Sequence, residues 1–192
     1  MFPIILDVTC VSIALIGNGK ATLRRLQQLD DAKSTNVTVY AKEPSTELRD
    51  AALIRLVEAL PTESDLQKHT VVMIADLDET TAAGLAIKAR KLGKLVNVED
   101  RKLWCDFHFP SFVRRGDLLL TVSTGGKSPA LARSIKKLLA RFFGQEWEGN
   151  VADIGAKREV WQQQGLSFDE VMQRSDNYIE EQGWLGHIAK GK

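Results

Sequence analysis

The sequence predicts an α/β protein: a parallel sheet with helices on its faces, followed by a segment of different character. Three observations lead there. Short apolar runs alternate with helix-patterned stretches up to Asp100. A glycine turn, Gly17-Asn18-Gly19, joins the first apolar run to the first helical stretch. Beyond Asp100 the composition turns basic and aromatic.

The elements follow in order. Val11 to Ile16 is an apolar run closed by the glycine turn, as a buried parallel strand would be. Lys20 to Leu29 carries Leu23, Leu26 and Leu29 on one helical face. Asn36 to Ala41 reads as a second strand, and Ile54 to Ala59 as a third ended by Pro61. Thr70 to Ala75 is a strong buried-strand signal. Asp78 then caps a helix from Glu79 to about Leu92, with Gly93 closing it, and Leu95 to Val98 is the next strand. Phe107 to Val113 reads as an aromatic loop around Pro110. Asp117 to Val122 is a strand and Ser123 to Lys127 a turn. Ser128 and Pro129 open a helix running to about Phe143. Its apolar stripe is Leu131, Ile135, Leu138, Leu139 and Phe142. Residues 150–192 read as two or three short helices, too few for a core of their own.

The chain has 192 residues, 44% of them hydrophobic and 27% charged, which excludes a disordered or collagen-like protein. The charge-free stretch from Val8 to Gly19 is shorter than the roughly 20 residues a bilayer span needs. With no basic segment before it and Asp7 at its edge, no signal peptide is expected. Cys10 and Cys105 are too few for a disulfide scaffold or a Cys-rich zinc site. They are expected as buried or half-buried thiols in a reducing, cytoplasmic setting. The overall charge of +1 hides a division: −2 over residues 1–100, +7 over 101–143 and −4 over 144–192. The central block would attract a polyanion. It lacks a nucleic-acid recognition motif or interleaved exposed aromatics, so nucleic acid is not the expected partner.

Gly17 to Thr22 reads G-x-G-x-x-T where the dinucleotide fingerprint has G-x-G-x-x-G/A. Two glycines permit a tight turn and close backbone approach to a diphosphate, and the helix N-terminus supplies N–H groups and partial positive charge. Thr22 is larger than the usual residue there, so the helix is expected slightly off the strand. The bland alternative is a plain strand-to-helix turn. About 20 residues on, where the fingerprint places an acid for the adenosine ribose, stand Lys42 and Glu43. Glu43 suits NAD and Lys42 a 2′-phosphate, so both dinucleotides stay open.

Four segments together resemble a known family: Ile16-Gly17-Asn18-Gly19 with Arg24-Arg25, Val96-Asn97-Val98-Glu99-Asp100, Phe109-Pro110-Ser111, and Val122 to Arg133 with its Ser123-Thr124-Gly125-Gly126-Lys127-Ser128-Pro129 core. The last is the most specific. Their order and spacing are similar to the precorrin-2 dehydrogenase/sirohydrochlorin ferrochelatase family, the N-terminal module of siroheme synthase, over residues 4–143. The resemblance implies a Rossmann-like domain over 1–112, a central dimerisation region over 113–145 and a helical C-terminal region over 146–192, in a homodimer. It implies NAD-dependent oxidation of precorrin-2 to sirohydrochlorin, with insertion of Fe2+ as substrate in bifunctional members. The methyltransferase domain fused to some siroheme synthases is not expected in these residues. The resemblance places Gly17, Asn18, Gly19, Lys20, Ala21, Lys42, Glu43 and Ala75 at the cofactor. It places the catalytic aspartate on Asp100 and a hydroxyl of Ser123 or Thr124 at the tetrapyrrole. The chain departs from the family where Ala-Thr is usual, carrying Ala75-Asp76, and where an Asn is usual, carrying Ala82.

Precorrin-2 carries eight carboxylates, and the +7 block suits it. Arg114, Arg115, Lys127 and Gly125, on loops, are the expected contacts; Lys136, Lys137 and Arg141 read more simply as a solvated helix face. Asp100 ends a parallel strand, where open α/β sheets bind ligands. One carboxylate there could take a proton in dehydrogenation and from pyrrole N–H groups in metal insertion. The alternative for Asp100 is a turn cap. Strand alternation sends Glu99 to the opposite face. His108 is expected as a partly buried structural residue, and Trp104, Phe107, Phe109 and Phe112 as core or dimer interface. No cluster has fixed metal-site spacing. The competing reading is a Rossmann module that binds a dinucleotide or tetrapyrrole without turnover, which Asp76 and Ala82 favour.

Overall fold

Five strands share one parallel sheet in the order β3-β2-β1-β4-β5. They are β1 (Ile13–Ile16), β2 (Val37–Tyr40), β3 (Leu56–Val57), β4 (Val71–Ile74) and β5 (Leu95–Val98). This is a computed structural model, and it describes residues 2–186. Helices α1 (Lys20–Asp31), α2 (Thr46–Ala52), α3 (Glu63–Gln67) and α4 (Glu79–Lys91) cover the sheet. Successive side chains of a strand point to opposite faces, and β1 divides accordingly. Ala14 and Ile16 join Val72, Ile74, Val96, Val98 and α4 in one core; Ile13 and Leu15 join Val39, Met73, Leu26 and Leu48 in the other. All four β1 residues are fully buried, which is why the run is apolar without alternation.

The caps match their sequence signals. Asp78 accepts from the Thr81 N–H at 3.0 Å, and Ser128 accepts from the Leu131 N–H at 3.2 Å ahead of Pro129. Between β2 and β4 the expectation was too simple. Where a strand over 54–59 was expected, the chain forms a 3-10 turn, Leu53–Arg55, and only two residues of strand, Leu56–Val57. Two short helices flank them, with Ser45 capping α2 and a Thr62–Asp65 capping box opening α3. Helices of five and seven residues are too short for an apolar stripe to declare them.

The chain divides into two compact units, the first ending at His108 and the second beginning at Phe109. In the second unit β6 (Ser111–Arg115) and β7 (Leu118–Val122) form an antiparallel hairpin. The expected aromatic loop therefore ends at Pro110, because Ser111, Phe112 and Val113 pair with Val122, Thr121 and Leu120. Helix α5 (Pro129–Phe142) packs on the hairpin, and α6 (Glu146–Gln163) touches it too. Helix α7 (Phe168–Gln182) pairs with α6, where Tyr178 stands edge-on to both Trp161 and Trp184. These are long helices, not the short ones expected, and α6 begins at Glu146. Residues 187–192 of the expected C-terminal region lie outside the described residues. Cys105 is half-buried, but Cys10 is exposed, contrary to expectation, because it precedes β1 on the N-terminal stretch. His108 is likewise exposed. Among the described residues no helix is long and apolar enough to cross a membrane.

Buried beneath the sheet, Tyr40 and His69 pair, Oη to Nε2, at 3.1 Å. Burial, aided by the neighbouring Lys68 charge, holds the His69 imidazole below the ordinary histidine value of 6.5. The folded state thus binds the proton less readily than the unfolded chain. Its stability is complete above about 6.5 and falls as pH drops below it. Urea denaturation at pH 7 and pH 5 should show a smaller pH loss for His69→Phe than for the wild-type protein. Equal losses would remove His69 from the linkage.

Candidate active site

The glycine turn lies where β1, β4 and α1 converge. Gly17 has φ +149°, and a Cβ there would overlap the Ala75 carbonyl oxygen and the Thr22 hydroxyl. Only glycine admits this approach of turn to strand. Thr22 is fully buried, so the extra bulk relative to the fingerprint is accommodated inside the junction. Its hydroxyl donates to Asp76 Oδ2 at 2.9 Å, and its N–H donates to the same oxygen at 2.7 Å. Asp76 follows β4 in the left-handed conformation, φ +53°. Its carboxylate therefore caps the N-terminus of α1 from another element, and a Cβ at Gly19 would lie 2.8 Å from its Cγ. Asn18 ties the turn to the loop after β2: its Nδ2 donates to the Lys42 carbonyl at 3.4 Å, and its carbonyl accepts from the Ser45 N–H at 3.1 Å. Lys42 and Glu43 are thereby held beside the glycine turn, both exposed, with Glu43 at φ +62°. Ala75 is buried under Gly17.

Asp100 stands past the end of β5 in a turn closed by the Arg101 N–H to the Val98 carbonyl at 3.2 Å. It adopts φ +58°, a conformation Asp tolerates better than most residues. Three contacts brace this end. The Cys105 thiol donates to the Val98 and Arg101 carbonyls at 3.1 and 3.3 Å. Asp106 accepts from the Val96 N–H at 2.9 Å and from Arg90. Asn97 Nδ2 donates to the Phe107 carbonyl at 2.8 Å. Burial pushes the Cys105 thiol above its ordinary pKa, which keeps it a protonated donor.

A cavity of about 640 Å³ connects these two regions. Lys20, Ala21 and Arg24 line it from α1, and Asp76 and Leu77 from the end of β4. Glu99, Asp100 and Arg101 line it from the end of β5. It sits at the carboxyl edge of the sheet beside the β1/β4 switch point, the ligand crevice of open α/β sheets. Glu99 thus shares the cavity with Asp100, contrary to the expected alternation. The strand ends at Val98, and the left-handed turn at Asp100 breaks the period of two. Glu99 pairs with Arg24 and lies 3.7 Å from Arg25. Burial pulls the Arg25 guanidinium below its ordinary value, with the Glu99 charge opposing. Arg24 and Arg101 were not singled out as site residues from sequence. Arg24 could have been found, because it stands one helical turn beyond Lys20 on the face toward the strand ends. Among the described residues no group of three or more His, Cys, Asp or Glu could hold a metal ion.

The second unit holds the other expected contacts. Thr124 Oγ1 accepts from the Ser128 N–H and donates to the Ser128 carbonyl, each at 3.1 Å, so it closes its own turn. Ser123 is exposed and accepts from the Gly125 N–H at 3.3 Å. Gly125 and Gly126 have φ +63° and +80°, which the turn requires. Lys127 and Arg114 are exposed. Arg115 is not presented to a ligand as expected. Its Nε donates to the Phe143 carbonyl at 2.9 Å and Nη2 to the Ala140 carbonyl at 3.3 Å, capping the end of α5.

Residues 4–111 match the family model described as putative NAD(P)-binding, and residues 115–141 match that of the central part of sirohaem biosynthesis proteins. The siroheme synthase of Methylococcus capsulatus is 35% identical over 136 residues, covering 70% of this chain and 29% of that protein. That of Ectopseudomonas mendocina is 32% identical over 146 residues, covering 76% of this chain and 31% of that protein. The chain therefore spans about a third of the length of these relatives. Among solved structures, SirC, a precorrin-2 dehydrogenase, superimposes with a TM-score of 0.78 at 21% identity, over 98% of this chain and 94% of that one.

The junction at Gly17 predicts a large local cost. Gly17→Ala forces a Cβ against backbone at positive φ, and should lower unfolding free energy by about 3 kcal/mol in urea denaturation. A variant as stable as wild type would contradict the packing of Gly17 on Ala75.

Proposed function

The chain belongs to the precorrin-2 dehydrogenase/sirohydrochlorin ferrochelatase family, and on that premise we propose that it oxidises precorrin-2 to sirohydrochlorin with NAD. The observation that carries this reading is the shared cavity: the N-terminus of the glycine-turn helix and the Asp100 carboxylate open into one space. The residues suit a dinucleotide. The glycine turn opens α1, whose first N–H groups belong to Lys20 and Ala21, and Asn18 ties Lys42 and Glu43 beside that turn, the arrangement a dinucleotide fingerprint uses. When bound, the nicotinamide accepts a hydride. Glu43 favours NAD over its 2′-phosphorylated form, which Lys42 would instead serve.

Asp100 is the general base in this reading. An exposed carboxylate at the cavity mouth can take the proton released as the tetrapyrrole loses hydride. The left-handed turn and the Cys105 bridge fix where that carboxylate projects. Glu99 serves a different purpose, neutralising Arg24 and Arg25. Within the second unit, Arg114, Lys127, Ser123 and the Gly125 turn are the groups whose chemistry suits carboxylates; Arg115 acts by holding α5. Insertion of Fe2+ extends the reading, since the same carboxylate can receive pyrrole protons. Two free thiols support a cytoplasmic setting. A homodimer is supported by α5, whose Leu131 and Leu138 remain 52% and 49% exposed along an apolar stripe. In this reading residues 1–112 bind the dinucleotide, 113–145 dimerise and 146–192 complete the helical part. One observation favours the second reading, binding without turnover: a carboxylate already sits on the glycine-turn helix.

Asp100→Asn keeps size and removes the base. Oxidation of precorrin-2, followed by absorbance, should fall on the order of 10²–10⁴-fold, with NAD affinity by calorimetry unchanged. Wild-type turnover in the variant would remove Asp100 from the mechanism. Binding of NAD without any oxidation by the wild-type protein would favour the second reading. Light scattering at micromolar concentration should give twice the 21.4 kDa chain mass, and a monomer would defeat the dimer.

A further inference from the structure

We propose that Asp76 is an internal anion on the dinucleotide turn, and that a cofactor diphosphate gains the α1 N-terminus only by displacing it. The proposal rests on the dinucleotide reading above and names the residue that sets the affinity of that site. Four observations carry it. Asp76 Oδ2 accepts from the Thr22 N–H, one of the first donors of α1, at 2.7 Å. A diphosphate on this turn would seek the same group of donors. The carboxylate lies directly against Gly19, with Cγ 2.8 Å from where a Cβ would stand, in the space the second glycine leaves for ligand backbone contact. Asp76 also lines the cavity alongside Lys20 and Ala21. Finally, the residue is held at φ +53°, unfavourable for a non-glycine side chain, and the compensating contact is the pair of bonds to Thr22.

Thr22 and Asp76 form one device. The threonine stands where a small residue would close the fingerprint, and its buried hydroxyl needs an acceptor. Asp76 supplies that acceptor and places a full negative charge on the positive end of α1. A second anion brought to the same helix end meets like-charge repulsion and finds one donor taken. Neutralising the residue should therefore tighten dinucleotide binding, although it removes a stabilising cap.

The test uses two variants that tolerate positive φ. Asp76→Asn keeps an acceptor for Thr22 and removes the charge; Asp76→Gly removes both. Calorimetric titration of the full chain with NAD and with NADP, alongside thermal unfolding, separates the roles. The expected result is tenfold or greater tightening for at least one dinucleotide in both variants, with a lower Tm in the absence of ligand. A role confined to capping predicts the lower Tm with affinity equal to or weaker than wild type, and that result overturns the proposal while leaving the dinucleotide reading intact. If no dinucleotide binds wild type or either folded variant, the dinucleotide reading fails, and this proposal falls with it.

Discussion

Everything at this site depends on one close approach: the backbone of Gly17 against the carbonyl of Ala75, where β1 hands the chain to α1 beside the end of β4. A side chain on Gly17 would separate these elements. With none, Thr22 can enter the junction and be fully buried, and its hydroxyl and N–H can both reach Asp76. The turn is thus locked to the neighbouring strand end by backbone contact and by a carboxylate on a helix N-terminus. The same approach brings Lys20 and Ala21 to the rim of the cavity that Asp100 shares.

The opposite wall is held by polar stitching in addition to the packing of Trp104 and Phe107 on the core. Beyond Val98 the chain leaves the sheet. Its path is set by polar contacts to the strand it has left: Cys105 to Val98, Asp106 to Val96 and Asn97 to Phe107. Cys105 and Asp106 satisfy backbone groups of the edge strand β5, and Asn97 satisfies the carbonyl of Phe107 beyond it. These contacts force the turn in which Asp100 takes a left-handed conformation and projects to the cavity. A cysteine that looks from sequence like a spare thiol is a hinge pin for the candidate base.

In the second unit the most family-specific stretch turns out to be largely self-bonded. Thr124 closes on Ser128, Ser123 on Gly125, and Ser128 caps α5. A run of Ser, Thr and Gly at a helix entrance satisfies donors locally before it meets any ligand. Arg115 behaves alike, directed to the carbonyls at the far end of α5. Ser123, Lys127 and Arg114 stay exposed.

By itself the sequence determined the parallel strands β1, β2, β4 and β5, the caps at Asp78 and Ser128, the glycine turn and the placement of Asp100 at a strand end. All of these rest on local signals: buried apolar runs, N-cap chemistry and the conformational freedom of glycine. The short helices α2 and α3 were invisible because five or seven residues cannot show a helical period. The outcome for Glu99, for Arg115 and for Thr22 with Asp76 was decided only by tertiary structure. Each of these side chains is committed to a partner at least 25 positions away in the chain. Propensity and periodicity act over a few residues, whereas a carboxylate meets a helix end 54 positions away only once the sheet has set β1 beside β4.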